Sequence, residues 1–134
     1  MFIMSDMETA AVVQRIYDRF MAGDITAVIG TLSDDVEWVL PKIPNVPFSG
    51  KRQGKDRVAE FFSMMADHQE VRSFDLHGMI VQGNQVVVHG HYWWHVKTTG
   101  RGWEGDFSHH WTVRDGTLSR LQEYSDTAAA TVAF

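Results

Sequence analysis

The chain has 134 residues, of which 44% are hydrophobic and 22% charged, and it contains no cysteine, which excludes disulfide frameworks, thiolate metal sites and thiol nucleophiles. Its 17 acidic against 12 basic residues leave a formal charge of -5, and no basic cluster exceeds Lys51-Arg52, so a nucleic-acid or anionic-membrane surface is not indicated. The size predicts one domain over residues 1–134; no apolar run approaches the ~20 residues of a membrane span, and Met1 to Met7 lacks the form of a signal peptide, so a cytoplasmic protein that meets a small molecule or another protein is expected.

Ser5-Asp6-Met7-Glu8 has the form of a capping box. Behind it Val12, Val13, Ile16, Tyr17, Phe20 and Met21 recur at helical spacing up to Gly23, which predicts an amphipathic helix of about four turns. Asp24 starts a second, shorter helix carrying Ile25, Val28, Ile29 and Leu32 and ending at Ser33-Asp34-Asp35. Val36, Trp38 and Leu40 then alternate as in a strand. The segment from Pro41 to Gly54 holds all three prolines and reads as a long loop, either a ligand-contacting lid or a surface connection. A third helix carries Val58, Phe61, Phe62 and Met65 and begins near Asp56. From Val71 the pattern is of strands, with hairpin signals at Gly83-Asn84 and Asp115-Gly116, a longer turn at Thr98 to Gly102, and a short terminal helix capped by Asp126. Helices followed by a strand meander predict an α+β domain: a curved, cone-shaped antiparallel sheet wrapped around three helices.

Five of the seven histidines and four of the five tryptophans fall between residues 89 and 111. From Val86 to Val96 the even positions (Val86, Val88, Gly90, Tyr92, Trp94, Val96) form the better inner face, with His89, His91 and His95 outside. From Trp103 to Val113 the odd positions Phe107, His109, Trp111 and Val113 form the apolar row, and His109 is its polar exception. With a turn from Lys97 to Gly102, Val96 meets Trp103, Tyr92 meets Phe107, and Gly90 meets His109, leaving room beside the imidazole. Leu118 and Leu121 are three apart, so a bulge near Ser119-Arg120 is needed to turn Leu121 and Glu123 both inward. The expected pocket has walls of Trp38, Leu40, Phe62, Trp94, Phe107, Trp111 and Leu121, polar groups His109, Glu123 and Tyr92, and Tyr17 at its edge. A single histidine on an apolar strand face also fits a hydrogen-bonded core residue. The row His89, His91, Trp93, His95 invites a metal reading, but no inward carboxylate accompanies it, its face is the outer one, and a dimer interface explains a His/Trp row equally well.

The order of helix, Ala22-Gly23-Asp24, short helix, "LSDDVEW", Pro-rich loop, "GKDRVAEFF" helix and closing "HHWTVRDGTLSRLQEYSDTAA" resembles the SnoaL-like families of the nuclear-transport-factor-two-like superfamily, over nearly the whole chain. The resemblance implies a cone of curved sheet with three helices around an apolar pocket, commonly as a homodimer. Activities across that superfamily include steroid isomerisation, polyketide cyclisation, epoxide hydrolysis and dehydration, and some members only bind, so fold alone does not fix the reaction. At the places of the steroid-isomerase carboxylate and tyrosine groups this chain carries Ile16, Leu40 and His109. At those of the limonene epoxide hydrolase Asp-Arg-Asp set it carries Tyr92, Gly90 and Glu123, without the arginine. The resemblance to SnoaL-type cyclases implies aldol or proton-transfer chemistry without metal or organic cofactor, with His109, Glu123 and Tyr92 as the acid-base residues acting on a hydrophobic, carbonyl-bearing ring compound. The alternative is a non-catalytic module of the same fold that binds a hydrophobic ligand or dimerises.

Overall fold

The computed structural model describes residues 4–134, so the first residues of the segment read as lacking a signal peptide lie outside it. Helix α1 (Asp6–Met21) begins at a complete capping box: the Ser5 hydroxyl accepts the Glu8 amide at 3.1 Å and the Glu8 carboxylate accepts the Ser5 amide at 3.3 Å. Its buried stripe is Val12, Val13, Ile16 and Tyr17, and Gly23 ends it at φ +76°. Asp24 caps α2 (Ile25–Gly30) through the Ala27 amide at 3.1 Å.

Strand β1 (Leu32–Val39) starts where the helix was expected to continue. Leu32 is buried and pairs with Leu118 of β6 rather than facing an α2 neighbour. The Pro41 to Gly54 segment is also more ordered than a plain loop. It contains β2 (Lys51–Gln53), antiparallel to β1, and it folds inward, with Ile43, Val46 and Phe48 buried and the Ser49 hydroxyl tied to backbone groups of Ile43 and Val46. Helix α3 (Lys55–His68) starts one residue before Asp56, behind Gly54 at φ +92°.

The meander is β3 (Gln69–Gln82), β4 (Gln85–Val96), β5 (Gly102–Arg114) and β6 (Thr117–Ser125), followed by α4 (Thr127–Ala133), which Asp126 caps through the Ala129 amide. The sheet order is β2-β1-β6-β5-β4-β3, and the two ends do not meet. All pairs are antiparallel except β1 with β6, which is parallel, so the sheet is mixed. Asp115 and Gly116 both have positive φ (+51° and +77°), as a type I′ hairpin turn requires.

The β4–β5 pairing departs from the expected register by two residues. Gly100, at φ +74°, donates its amide to the Val96 carbonyl, and Val96 in turn donates to Arg101. The turn therefore consumes Val96 to Arg101, so Trp94 meets Trp103, Gly90 meets Phe107 and Val88 meets His109. The space at Gly90 is not beside the imidazole: a Cβ there would lie 2.1 Å from the Asp75 carbonyl oxygen and 2.9 Å from the Phe107 ring. On β6 the bulge is present, because Thr112 pairs with Arg120 and Val113 with Leu118, leaving Ser119 as the extra residue. It turns Leu121 and Glu123 to the same inner surface. No helix among the described residues is long and apolar enough to cross a membrane.

Candidate active site

Between α1, α3 and the inner sheet face lies a cavity of about 80 Å³. Tyr17, Trp38, Leu40, Phe62, Trp94, Trp111 and Leu121 line it together with Tyr92, His109 and Glu123. Phe107 does not; it fills the space that Gly90 leaves, stacked on Tyr92 at 4.7 Å and against His109 at 4.4 Å between ring centroids. Phe107, expected among the pocket walls, instead stands behind Tyr92 and His109 in this structure. The sequence reading missed Phe74, which reaches across the cavity to the rings of Tyr17, Phe20, Tyr92 and Trp94. Its alternation with polar neighbours was the available signal, but bulges on both sides, at Val71/Ser73 and Leu76/Gly78, break the period that would have assigned its face.

A single chain of hydrogen bonds crosses the cavity wall. Trp111 Nε1 donates to the Tyr17 hydroxyl oxygen at 2.9 Å, and Tyr17 Oη lies 2.7 Å from His109 Nδ1. His109 Nε2 lies 2.8 Å from Glu123 Oε1, which also accepts the Tyr92 hydroxyl at 3.4 Å. Tyr17 was expected at the pocket edge; it is 3% exposed and central to the network. Burial drives its phenol far above an ordinary tyrosine, partly offset by the Trp111 donor and reinforced by the charge of Glu123. Burial and then the Glu123 charge likewise raise Tyr92 well above the usual range. Both hydroxyls therefore keep their protons.

Those protons fix the directions of the remaining bonds. With its oxygen occupied by the Trp111 N–H, the Tyr17 hydroxyl donates to Nδ1, so His109 carries its own hydrogen on Nε2 and donates to the Glu123 carboxylate. A doubly protonated imidazole would leave the Tyr17 hydrogen without an acceptor among the described residues. His109 thus has no free lone pair. The group with spare capacity is Glu123, whose Oε1 takes both bonds while no described residue donates to Oε2. Two further donors lack partners: the buried indole N–H groups of Trp38 and Trp94, both on the cavity wall. Among the described residues no group of three or more His, Asp or Glu side chains is placed to hold a metal. On the outer face, His91 is engaged by Asp106 at 2.8 Å and Glu104 at 3.9 Å.

A sequence profile of the SnoaL-like domain matches residues 13–121. The protein belongs to the SnoaL-like family. Solved structures agree with this membership. A Burkholderia xenovorans NTF2-like protein is 27% identical with a TM-score of 0.88, the match covering 97% of this chain and 98% of that one. TerC, co-crystallised with polyporic acid, is 26% identical with a TM-score of 0.78 over 94% of this chain and 97% of its own. A Xanthomonas campestris protein provisionally assigned as a polyketide cyclase shares the fold at 21% identity, TM-score 0.78, covering 96% and 97% of the two chains. Among curated proteins none matches this SnoaL-like chain.

Proposed function

We propose that this SnoaL-like protein is a cofactor-independent acid-base enzyme, a cyclase, isomerase or lyase, acting on a hydrophobic carbonyl-bearing ring compound. The observation that carries the reading is Glu123: a carboxylate on the wall of a largely aromatic and aliphatic cavity, oriented by the His109 N–H at 2.8 Å and keeping one oxygen without a donor among the described residues. In the reaction, Glu123 Oε2 takes a proton from the carbon next to the ligand carbonyl. The C–H bond breaks, its electron pair moves onto the carbonyl oxygen, and an enolate forms. Tyr92 is placed to turn its hydroxyl to that oxygen, since its present bond to Glu123 is long at 3.4 Å and costs little to exchange. The proton then returns to another carbon in an isomerisation, or the enolate attacks a second carbonyl in a cyclisation, or it expels a β-substituent in an elimination. His109 positions the base without itself taking the proton. The apolar wall excludes water and strengthens each of these interactions. TerC's co-crystallisation with polyporic acid supports a small-molecule role for the fold.

The alternative is a non-catalytic ligand-binding module, favoured by one observation: Tyr17, His109 and Trp111 satisfy one another as a structural network does. The deciding experiment is exchange of α-hydrogens of 2-tetralone in heavy water, followed by proton NMR. Glu123→Gln keeps an acceptor for His109 and Tyr92, so folding is retained while exchange should fall by roughly 10²–10⁴. Exchange faster than solvent but unchanged in Glu123→Gln would overturn Glu123 as the base, and exchange no faster than solvent with the unaltered protein saturated by the ketone would leave the binding module as the function.

A further inference from the structure

A second cavity of about 50 Å³ lies beneath the Pro41 to Ser49 segment and α4. It is separated from the first by a wall of six residues common to both: Leu40, Phe61, Met65, Tyr92, Trp94 and Glu123. The free polar functions of the region are concentrated in that wall. Glu123 has an unpartnered oxygen, Trp94 an indole N–H without an acceptor, and Tyr92 a weakly held hydroxyl. Outside the wall the Trp38 indole N–H, which lines the first cavity, is also free; the other polar groups named here are committed. Tyr17 and His109 bond to one another, Ser49 is held by its own loop, and Gln69 accepts the Trp103 indole at 3.2 Å.

Each void is smaller than the ~150 Å³ known to admit a benzene ring, so a compound with a ring on each side of its carbonyl enters only if the two are joined and the wall between them moves aside. The wall has the parts for this. Met65 and Leu40 are half-buried, and a methionine side chain has three rotatable bonds with which to move aside. Phe61, by contrast, is clamped by the rings of Trp38, Phe48 and Phe62. A joined cavity holds most of its free polar groups at its waist, and an apolar ligand centre there would leave the Trp94 N–H and the loosely held Tyr92 hydroxyl without the acceptor that a carbonyl oxygen supplies. Resting on the reading above, we infer that the ligand carries its carbonyl or enol oxygen in the middle, flanked by two apolar lobes, one in each cavity.

The test uses benzophenone, whose carbonyl lies between two rings, and acetophenone, which has a ring on one side only. By calorimetry the unaltered protein should bind both. Ala130→Leu, which fills the second cavity from α4, should weaken benzophenone by about tenfold or more, the share that burying one phenyl ring contributes, and leave acetophenone within about twofold. Irradiation of bound benzophenone, which inserts next to its carbonyl, needs no variant and should label Leu40 or Met65. Acetophenone binding without benzophenone binding, equal losses for both ketones in a folded Ala130→Leu, or labels confined to residues lining one cavity would overturn the two-lobed ligand while leaving Glu123 as the base. Binding of neither ketone would overturn the pocket reading with it.

Discussion

Tyr17→Phe probes the network at its centre without changing the size of the side chain. It removes one oxygen that accepts from Trp111 at 2.9 Å and lies 2.7 Å from His109 Nδ1, in a place where Tyr17 is 3% and His109 7% exposed. Two buried polar atoms, the Trp111 N–H and the His109 Nδ1 lone pair, are then left unpartnered. At about 1–3 kcal/mol for each stranded group, less what is regained by no longer burying a hydroxyl, the expected loss is about 2–4 kcal/mol. For a domain of this length that is a fall in Tm of roughly 8–16 °C, at about 4 °C per kcal/mol. Urea melts of the variant and the parent at neutral pH measure it directly. Trp111→Phe combined with Tyr17→Phe removes the stranded donor, so the two losses should be less than additive by about 1 kcal/mol. A Tyr17→Phe loss below about 0.5 kcal/mol, or strict additivity in the cycle, would mean that the hydroxyl does not hold the imidazole, and the proton assignment built on it would fail.

Three further outcomes are expected. Because the fold keeps the Tyr17 and Tyr92 protons that an unfolded chain releases from about pH 10 upward, their stabilising contribution is full below that pH and is lost above it, at about 1.4 kcal/mol per pH unit for each; urea midpoints that stay level between pH 9 and about 11 would contradict the burial of both phenols. Gly90→Ala puts a methyl 2.1 Å from the Asp75 carbonyl oxygen, which backbone cannot easily yield, so a loss of about 3 kcal/mol or more is expected and a near-parental Tm would refute the close approach of β3 and β4. A homodimer through the outer sheet face is expected from Trp93, 46% exposed between His91 and His95; light scattering at micromolar concentration should give twice the mass of one chain for the parent and one chain for Trp93→Glu, and a monomeric parent would refute it.

The inner faces of the sheet were legible before its pairing was. Alternation in β4 and β5 sorts residues by parity, and the β4–β5 register, although misplaced by two residues, was misplaced by an even number. A side chain keeps its face under an even slip and changes it under an odd one. His109 and Trp111 therefore stayed inside while their partners across the ladder changed, and the error showed only at Gly90, whose missing side chain makes room for Phe107 instead of for the imidazole. The bulge at Ser119 was legible for a related reason: two leucines three apart cannot share a face without an extra residue between them. Leu32 to Asp35 was not legible as a strand, since its polar residues have no period, and what makes it one is Leu32 meeting Leu118 along a parallel ladder formed only in the complete fold.

Tyr17 shows where local pattern stops. Helical spacing places it on the buried stripe of α1 beside Ile16, but spacing says nothing of which sheet residue its hydroxyl meets, because that depends on how α1 is docked 92 residues away from His109. The same contact bears on the two readings that sequence left open for His109, a satisfied core histidine or an acid-base group. Both of its nitrogens are taken, one by Tyr17 and one by Glu123, so in isolation it looks like the former. Its bond to Glu123, however, ends on a carboxylate with an oxygen to spare in an apolar cavity. A histidine that donates to a carboxylate fixes which of its oxygens is occupied and how the group is turned. Under the proposed function the two readings describe one residue, His109 being satisfied in the core while the Glu123 oxygen it leaves free is the one that meets the ligand.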